Sequence, residues 1–101
     1  MTIKKNWDSA TVILSIAGRL DTITSSQLKS ELESIFAKGA YNLTLDLKEL
    51  DYISSAGVGA FLDAYQKVTS LSKKLKITGA NDSVKEILTM TGLTRVIDIS
   101  S

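Results

Sequence analysis

The chain has 101 residues, 44% hydrophobic and 23% charged, the size and balance of one domain over residues 1–101 with a modest core of its own. Twelve basic residues against eleven acidic ones leave a net charge of +1, with no run of cations that suggests a nucleic acid partner. Cysteine and histidine are both absent, which removes disulfides, thiol chemistry, thiolate metal sites and the commonest general base and zinc ligand. Most hydrolase and metalloenzyme readings go with them. No apolar run is long enough to span a bilayer and no signal-peptide pattern opens the chain, so a cytoplasmic protein without direct membrane insertion is expected.

Ile3, Lys5 and Trp7 alternate with Thr2, Lys4 and Asn6, the period of a short strand. Asp8-Ser9-Ala10 reads as a turn. Thr11 to Ala17 alternates Val12, Leu14 and Ile16 against Thr11, Ile13 and Ser15, a second strand paired with the first as a hairpin and ended by Gly18. Leu20 and Asp21 lead into a loop, with Thr24 or Ser25 as the cap of a helix over residues 26–38. Leu28, Leu32, Ile35 and Phe36 give that helix one apolar face, and Lys38-Gly39 ends it.

Asn42 to Leu47 reads as a strand, and Lys48 to Ile53 as its connection to a turn. The helix after that turn is expected to bury Phe61, Leu62, Tyr65 and Val68, with Leu71 near its end. Lys73, Lys74 and Lys76 follow it, where cations suit a helix C-terminus. Leu75 to Thr78 is a short strand. Asn81 or Asp82 caps a third helix that carries Val84, Ile87 and Leu88 and stops at Gly92, and Val96 to Ile99 closes the chain as a strand. The order β-β-α-β-α-β-α-β implies an α/β fold with a mixed, mostly parallel β-sheet and helices packed against it. Sites in such sheets form outside the carboxyl ends of the parallel strands. The Asp21 loop and the turn at Ser54-Ser55 both follow strands directly, so both are expected on one edge.

Tyr52-Ile53-Ser54-Ser55-Ala56-Gly57-Val58-Gly59 carries most of the functional argument. Two hydroxyls stand where a helix begins, and serine is among the preferred N-caps. A plain capping role accounts for the serines but not for the glycines. Glycine in a helix interior costs about 1 kcal/mol relative to alanine. Gly57 and Gly59 imply a closely packed neighbour, a partner that must reach the helix start, or a phosphate-cradling loop, the last a weak signal because the stretch is not a Walker sequence. A phosphoserine here would carry about −1.5 to −2 charges beside helix N–H groups, a switch that needs no large change of shape. Asp21 reads either as a turn cap or as a residue near the serine turn that positions its hydroxyl or meets a partner. Asp46 looks structural, and Asp51 and Asp63 look like solvated charges.

Several of these stretches together resemble the STAS family, and within it the bacterial anti-sigma-factor antagonists. Gly18-Arg19-Leu20-Asp21 is similar to the G-x-[IL]-D element of that family. Leu45-Asp46-Leu47 with Asp51 to Gly59 looks like its strand–turn–helix signature. Val84 to Leu88, Thr91-Gly92-Leu93 and Val96-Ile97 resemble its last helix and strand. The likeness spans nearly the whole chain, and implies a single STAS-like domain.

It further implies a non-enzymatic switch that binds an anti-sigma factor which is also a serine kinase. The kinase phosphorylates the antagonist at the helix start and releases it, and a PP2C-type phosphatase resets the phosphorylated form. Aligned through Gly57-Val58-Gly59, the phosphorylation site falls on Ser55, and the aspartate of the G-x-[IL]-D element falls on Asp21. The position before the acceptor, acidic in many relatives, is Ser54. The expected partner-binding set is Asp21, Thr22, Ile53, Ser54, Ser55, Ala56, Gly57 and Val58, with no catalytic residue, cofactor or metal. The alternative keeps the fold and makes the chain a constitutive STAS interaction subunit of a membrane lipid or anion transport complex. A phospho-accepting receiver is disfavoured, because Asp46 and Asp51 are the only close carboxylates that could hold magnesium at strand ends.

Overall fold

The computed structural model describes residues 1–100. β1 (Thr2–Asp8) and β2 (Thr11–Leu20) form the expected antiparallel hairpin, in register from Thr2 opposite Ala17 to Asp8 opposite Thr11. Ile3, Lys5 and Trp7 stand opposite Ile16, Leu14 and Val12, the buried row of β2. β3 (Asn42–Asp46) runs parallel to β2 along Thr11 to Ser15. β5 (Leu75–Thr78) runs parallel to β3, and β6 (Asp98–Ser100) parallel to β5. The spatial order is β1-β2-β3-β5-β6, with β4 (Leu50–Ile53) also on β2, so the sheet is mixed and mostly parallel as read from the sequence.

β4 corrects that reading, which made Lys48 to Ile53 a connection. Only Leu50 and Ile53 of β4 are buried, so Asp51 and Tyr52 hide the strand period. β4 pairs with Gly18 to Leu20, and the register shifts between Gly18 and Arg19. Gly18 therefore does not end β2. It sits at φ +97°, a left-handed conformation that glycine adopts readily, and β2 continues past the irregularity to Leu20.

α1 (Thr22–Lys38) starts four residues before the expected Ser26, because Asp21 is its cap rather than Thr24 or Ser25. α2 (Ser55–Ser70) packs beside α1, and α3 (Asp82–Met90) packs against β4 and a 3-10 turn at Leu93–Arg95. Phe61, Ala64 and Val68 form the buried row of α2 with Ala60. Leu62, expected inside, is 37% exposed, and Tyr65 and Leu71 are half-buried. A helix places residue 62 about 100° from residue 61, away from that row. At the end of the chain, the 3-10 turn takes residues that a longer last strand would have used. Val96 is exposed, Ile97 is buried, and the strand is Asp98–Ser100 rather than 96–99.

The core is continuous. Leu14, Ile16, Leu43, Leu45 and Ile77 from the sheet meet Leu28, Ile35, Phe61 and Leu88 from the helices, all of them at 1% exposure or less. Burial of a leucine or phenylalanine contributes about 1.5–3 kcal/mol each. This core holds the carboxyl ends of β2 and β4 rigidly side by side.

Candidate functional site

Leu20 of β2 pairs with Ile53 of β4, and both chains then turn into helices. The Ser54 N–H donates to the Leu20 carbonyl at 2.8 Å, which ties the start of α2 to the end of β2. Asp21 and Ser54 therefore stand one residue beyond a paired position on neighbouring strands. The two loops expected on one edge are joined there by a backbone hydrogen bond.

Each loop is closed by its own cap. The Asp21 carboxylate accepts from the Ile23 and Thr24 N–H groups at 3.0 and 2.9 Å. The Thr24 hydroxyl accepts from the Asp21 N–H at 2.8 Å, completing a reciprocal capping box. The hydrogen bonds from the Thr24 backbone and hydroxyl, with lesser help from the Ile23 N–H and the Arg19 charge, hold the Asp21 carboxyl below its ordinary range.

Ser54 is the N-cap of α2, with extended backbone (φ −93°, ψ 173°), and its Oγ accepts from the Gly57 N–H at 3.2 Å. Ser55 is the first helical residue and is exposed. Its own N–H and that of Ala56 precede the first intrahelical bond, from Val58 N–H to Ser54 O at 3.0 Å. These groups and the helix dipole give the edge a partial positive charge of roughly half a unit. The hydroxyl of Ser54 is thus engaged in the fold, and that of Ser55 stands on the outside.

The expected contact residues divide by burial. Asp21, Thr22, Ser54, Ser55 and Ala56 are exposed or half-buried. Ile53 and Val58 are buried at 1% and 8% exposure, and Gly57 is buried as well, so the free chain turns these three inward. The reason for Gly57 is close packing. A β-carbon there would stand 2.8 Å from both Leu20 Cγ and Ile53 Cγ1. Two further groups enlarge the edge beyond the expected contact set. Ile23, in the first turn of α1, is 83% exposed. The Arg19 guanidinium lies 4.2 Å from the centre of the Tyr52 ring, a cation–π contact on the β2–β4 pair. Ile23 could have been noticed as an apolar residue outside the Leu28, Leu32, Ile35 spacing.

A concavity of about 500 Å³ lies between α1 and α2, floored by Leu32, Phe36, Ala60 and Ala64, and none of the expected contact residues lines it. Asp46 is held by Lys48, through that residue's N–H at 3.2 Å and its ammonium at 3.8 Å. Among the described residues, no three acidic, histidine or cysteine side chains converge as a metal site, and no helix is long and apolar enough to cross a membrane.

The STAS domain model matches residues 2–101. An anti-sigma-B factor antagonist of Listeria monocytogenes is 29% identical over 97 residues, covering 96% of this chain and 85% of that protein. Among solved structures, a Thermotoga maritima protein described as a candidate anti-sigma factor antagonist superposes with a TM-score of 0.91 at 21% identity, over 98% of this chain and 86% of that one. The Bacillus cell fate determinant SpoIIAA, solved in its phosphorylated form, gives 0.78 at 16% identity, over 99% of this chain and 92% of the other. With the whole sheet, all three helices and the serine turn inside the matched span, the chain belongs to the STAS domain family.

Proposed function

We propose that this chain is an anti-sigma-factor antagonist that docks on a kinase-type anti-sigma factor through the edge formed by Asp21, Thr22, Ser54, Ser55 and Ala56, and is released when Ser55 is phosphorylated. The observation that carries the reading is the division of labour between the two serines. Ser54 Oγ already serves the Gly57 N–H, whereas Ser55 is exposed at the first position of α2. The names of the relatives point the same way: a 29% identical protein is an anti-sigma-B factor antagonist, and SpoIIAA exists in a phosphorylated form.

In this reading the chain supplies a substrate hydroxyl and no catalytic group. The Ser55 oxygen takes the γ-phosphoryl group of ATP within the kinase, its proton passes to a base of the kinase, and ADP departs. The new phosphate lies beside the Ser55 and Ala56 N–H groups and the positive end of α2, so the fold accepts it. A docked partner does not, because a hydrated dianion now stands between the two surfaces. Ile53, Gly57 and Val58 act from beneath, holding the turn at its height above the core. The expected partners are the anti-sigma serine kinase and a PP2C-type phosphatase that removes the phosphate. Family membership supports a regulatory binding protein in place of an enzyme.

The test is binding to the cognate anti-sigma kinase by calorimetry. The unmodified chain is expected to bind, and Ser55→Asp is expected to weaken binding at least tenfold with the fold intact. Equal affinity of the two would overturn the proposal. Co-purification with a membrane permease and no kinase would favour the constitutive subunit instead.

A further inference from the structure

The end of the molecule opposite the serine turn, at the amino ends of the parallel strands, gathers cations. Lys38 ends α1, Lys73 and Lys74 precede β5, and Arg95 ends the 3-10 turn. Asp8, at the close of β1, and Asp98, which opens β6 opposite Lys76, are carboxylates on the same end. At the opposite end Asp21, Asp46, Glu49, Asp51 and Asp82 stand with Lys4, Arg19, Lys48 and Lys85. The near-neutral total of +1 therefore conceals a basic pole.

The basic pole is also apolar. Trp7 is 44% exposed, Met90 77% and Val96 49%. Contacts and register place these groups along one end of the sheet, from β1 at one edge to β6 at the other. The Lys38 ammonium lies 5.3 Å from the centre of the Trp7 ring, and Tyr41 packs edge-on against Trp7 at 4.9 Å. The next residue, Asn42, accepts from the Lys74 N–H at 3.0 Å. Two residues ahead of the Lys76–Asp98 pair of β5 and β6 stand Lys74 and Val96. Met90 ends α3 just before the 3-10 turn. Cations are ordinary at helix C-termini, which explains Lys38 and Lys73. It does not explain an exposed tryptophan, methionine and valine on the same end.

We infer that the pole formed by Trp7, Lys38, Lys73, Lys74, Met90, Arg95 and Val96 is a peripheral docking surface for an anionic lipid bilayer. Tryptophan is favoured at the level of lipid headgroups, where its ring is half apolar and its N–H is wet. Methionine and valine supply area for the acyl boundary, and each lysine or arginine near an anionic surface strengthens attachment by about fivefold. The serine edge, at the other end of the strands, is turned away from the lipid. That orientation leaves Ser55 facing bulk water while the other end rests on the membrane.

The chain reports on this surface directly, because Trp7 is its one tryptophan. The full-length protein is mixed with vesicles of phosphatidylcholine containing phosphatidylglycerol, and with vesicles of phosphatidylcholine alone. Expected are a blue shift of the Trp7 emission and co-sedimentation with the anionic vesicles only, both reversed by salt. Lys74→Glu is expected to weaken partitioning by roughly an order of magnitude. Lys48→Glu, the same charge change at the other pole, is expected to leave it within about twofold, with circular dichroism confirming that both variants fold. An equal response to neutral vesicles, equal losses in the two variants, or no shift on anionic vesicles overturns the inference. Tighter binding of a DNA duplex than of the anionic vesicles also overturns it, in favour of a nucleic-acid face.

Discussion

Gly57 and Leu20 touch so closely that the glycine has no room for a side chain: a β-carbon at Gly57 would lie 2.8 Å from Leu20 Cγ and 2.9 Å from Leu20 Cδ2. Leu20 is fully buried and Ile53, the other close neighbour, is 1% exposed, so neither can yield without disturbing the core. Gly57→Ala is expected to destabilise by about 1–3 kcal/mol through overpacking. That outweighs the gain of about 1 kcal/mol in helix propensity. Urea titration reads the sign, and a stabilised variant would show that α2 can slide off β2.

Gly59 predicts the opposite sign. No atom lies within 4 Å of the position a β-carbon would take there, and its φ lies outside the left-handed range. Gly59→Ala should therefore stabilise the free chain by about 0.5–1 kcal/mol, chiefly by restricting the unfolded state. The same titration checks it. A loss of stability would mean that the space beside Gly59 is filled in solution.

Asn81 links α3 to the sheet in two ways. Its Oδ1 accepts from the Val84 N–H at 2.8 Å as the helix cap, and its Nδ2 donates to the Leu50 carbonyl at 3.1 Å. Asn81→Ala removes both and is expected to cost about 1–2 kcal/mol. Asn81→Asp keeps the cap and loses the donor, so its loss should be smaller. Thermal melts of the two variants order them, and equal losses would assign the whole effect to the strand contact.

Much of this fold is written in periodicities that one element can express alone. Val12, Leu14 and Ile16 alternate cleanly because one face of β2 is buried along its length. β4 is invisible for the converse reason: two buried residues enclose two exposed ones, and its partner on β2 lies beyond the register shift at Gly18. The α1 cap was misplaced because Asp21, Thr24 and Ser25 are all competent caps in isolation. Geometry chooses Asp21, whose backbone turns at the end of β2, while Ser25 is buried with its hydroxyl on the Asp21 carbonyl. The serine turn was legible because two serines and two glycines at a helix start make an unusual combination. The separate tasks of those residues were not, since they depend on which hydroxyl meets the Gly57 N–H and which glycine meets Leu20.

Asp21 makes the start of α1 sensitive to acid. Its carboxyl is held below the ordinary range by the hydrogen bonds from Thr24, with the Ile23 N–H and Arg19 assisting. A depressed folded value favours the charged form in the native state. Its contribution to stability is therefore complete above the unfolded value of about 3.9 and is lost as pH falls through the lower folded value. Asp21→Asn retains an acceptor for the cap and removes the titration. The melting temperature of the wild type is expected to fall more steeply than that of the variant between pH 5 and pH 2, both rough limits set by the carboxylate range. Parallel curves would show that Asp21 is not tied to Thr24 in solution.

The two serines should separate in a pair of measurements. Ser54 Oγ accepts from Gly57 N–H, so Ser54→Ala loses an N-cap and is expected to cost about 0.5–2 kcal/mol. Its exposed neighbour Ser55, at the first helical position, should tolerate alanine within about 0.5 kcal/mol. Phosphorylation by a cognate kinase with ATP should show the reverse pattern. Intact-mass spectrometry is expected to find one added phosphate on the wild type and on Ser54→Ala, and none on Ser55→Ala. A phosphate retained on Ser55→Ala would transfer the acceptor role to Ser54, whose oxygen would then have to leave the Gly57 N–H to react. In that case phosphorylation would also uncap α2, and the modified protein would melt at a lower temperature than the unmodified one. An acceptor at Ser55 leaves the cap in place, so the same melt distinguishes a switch that acts on the docking surface alone from one that loosens the helix.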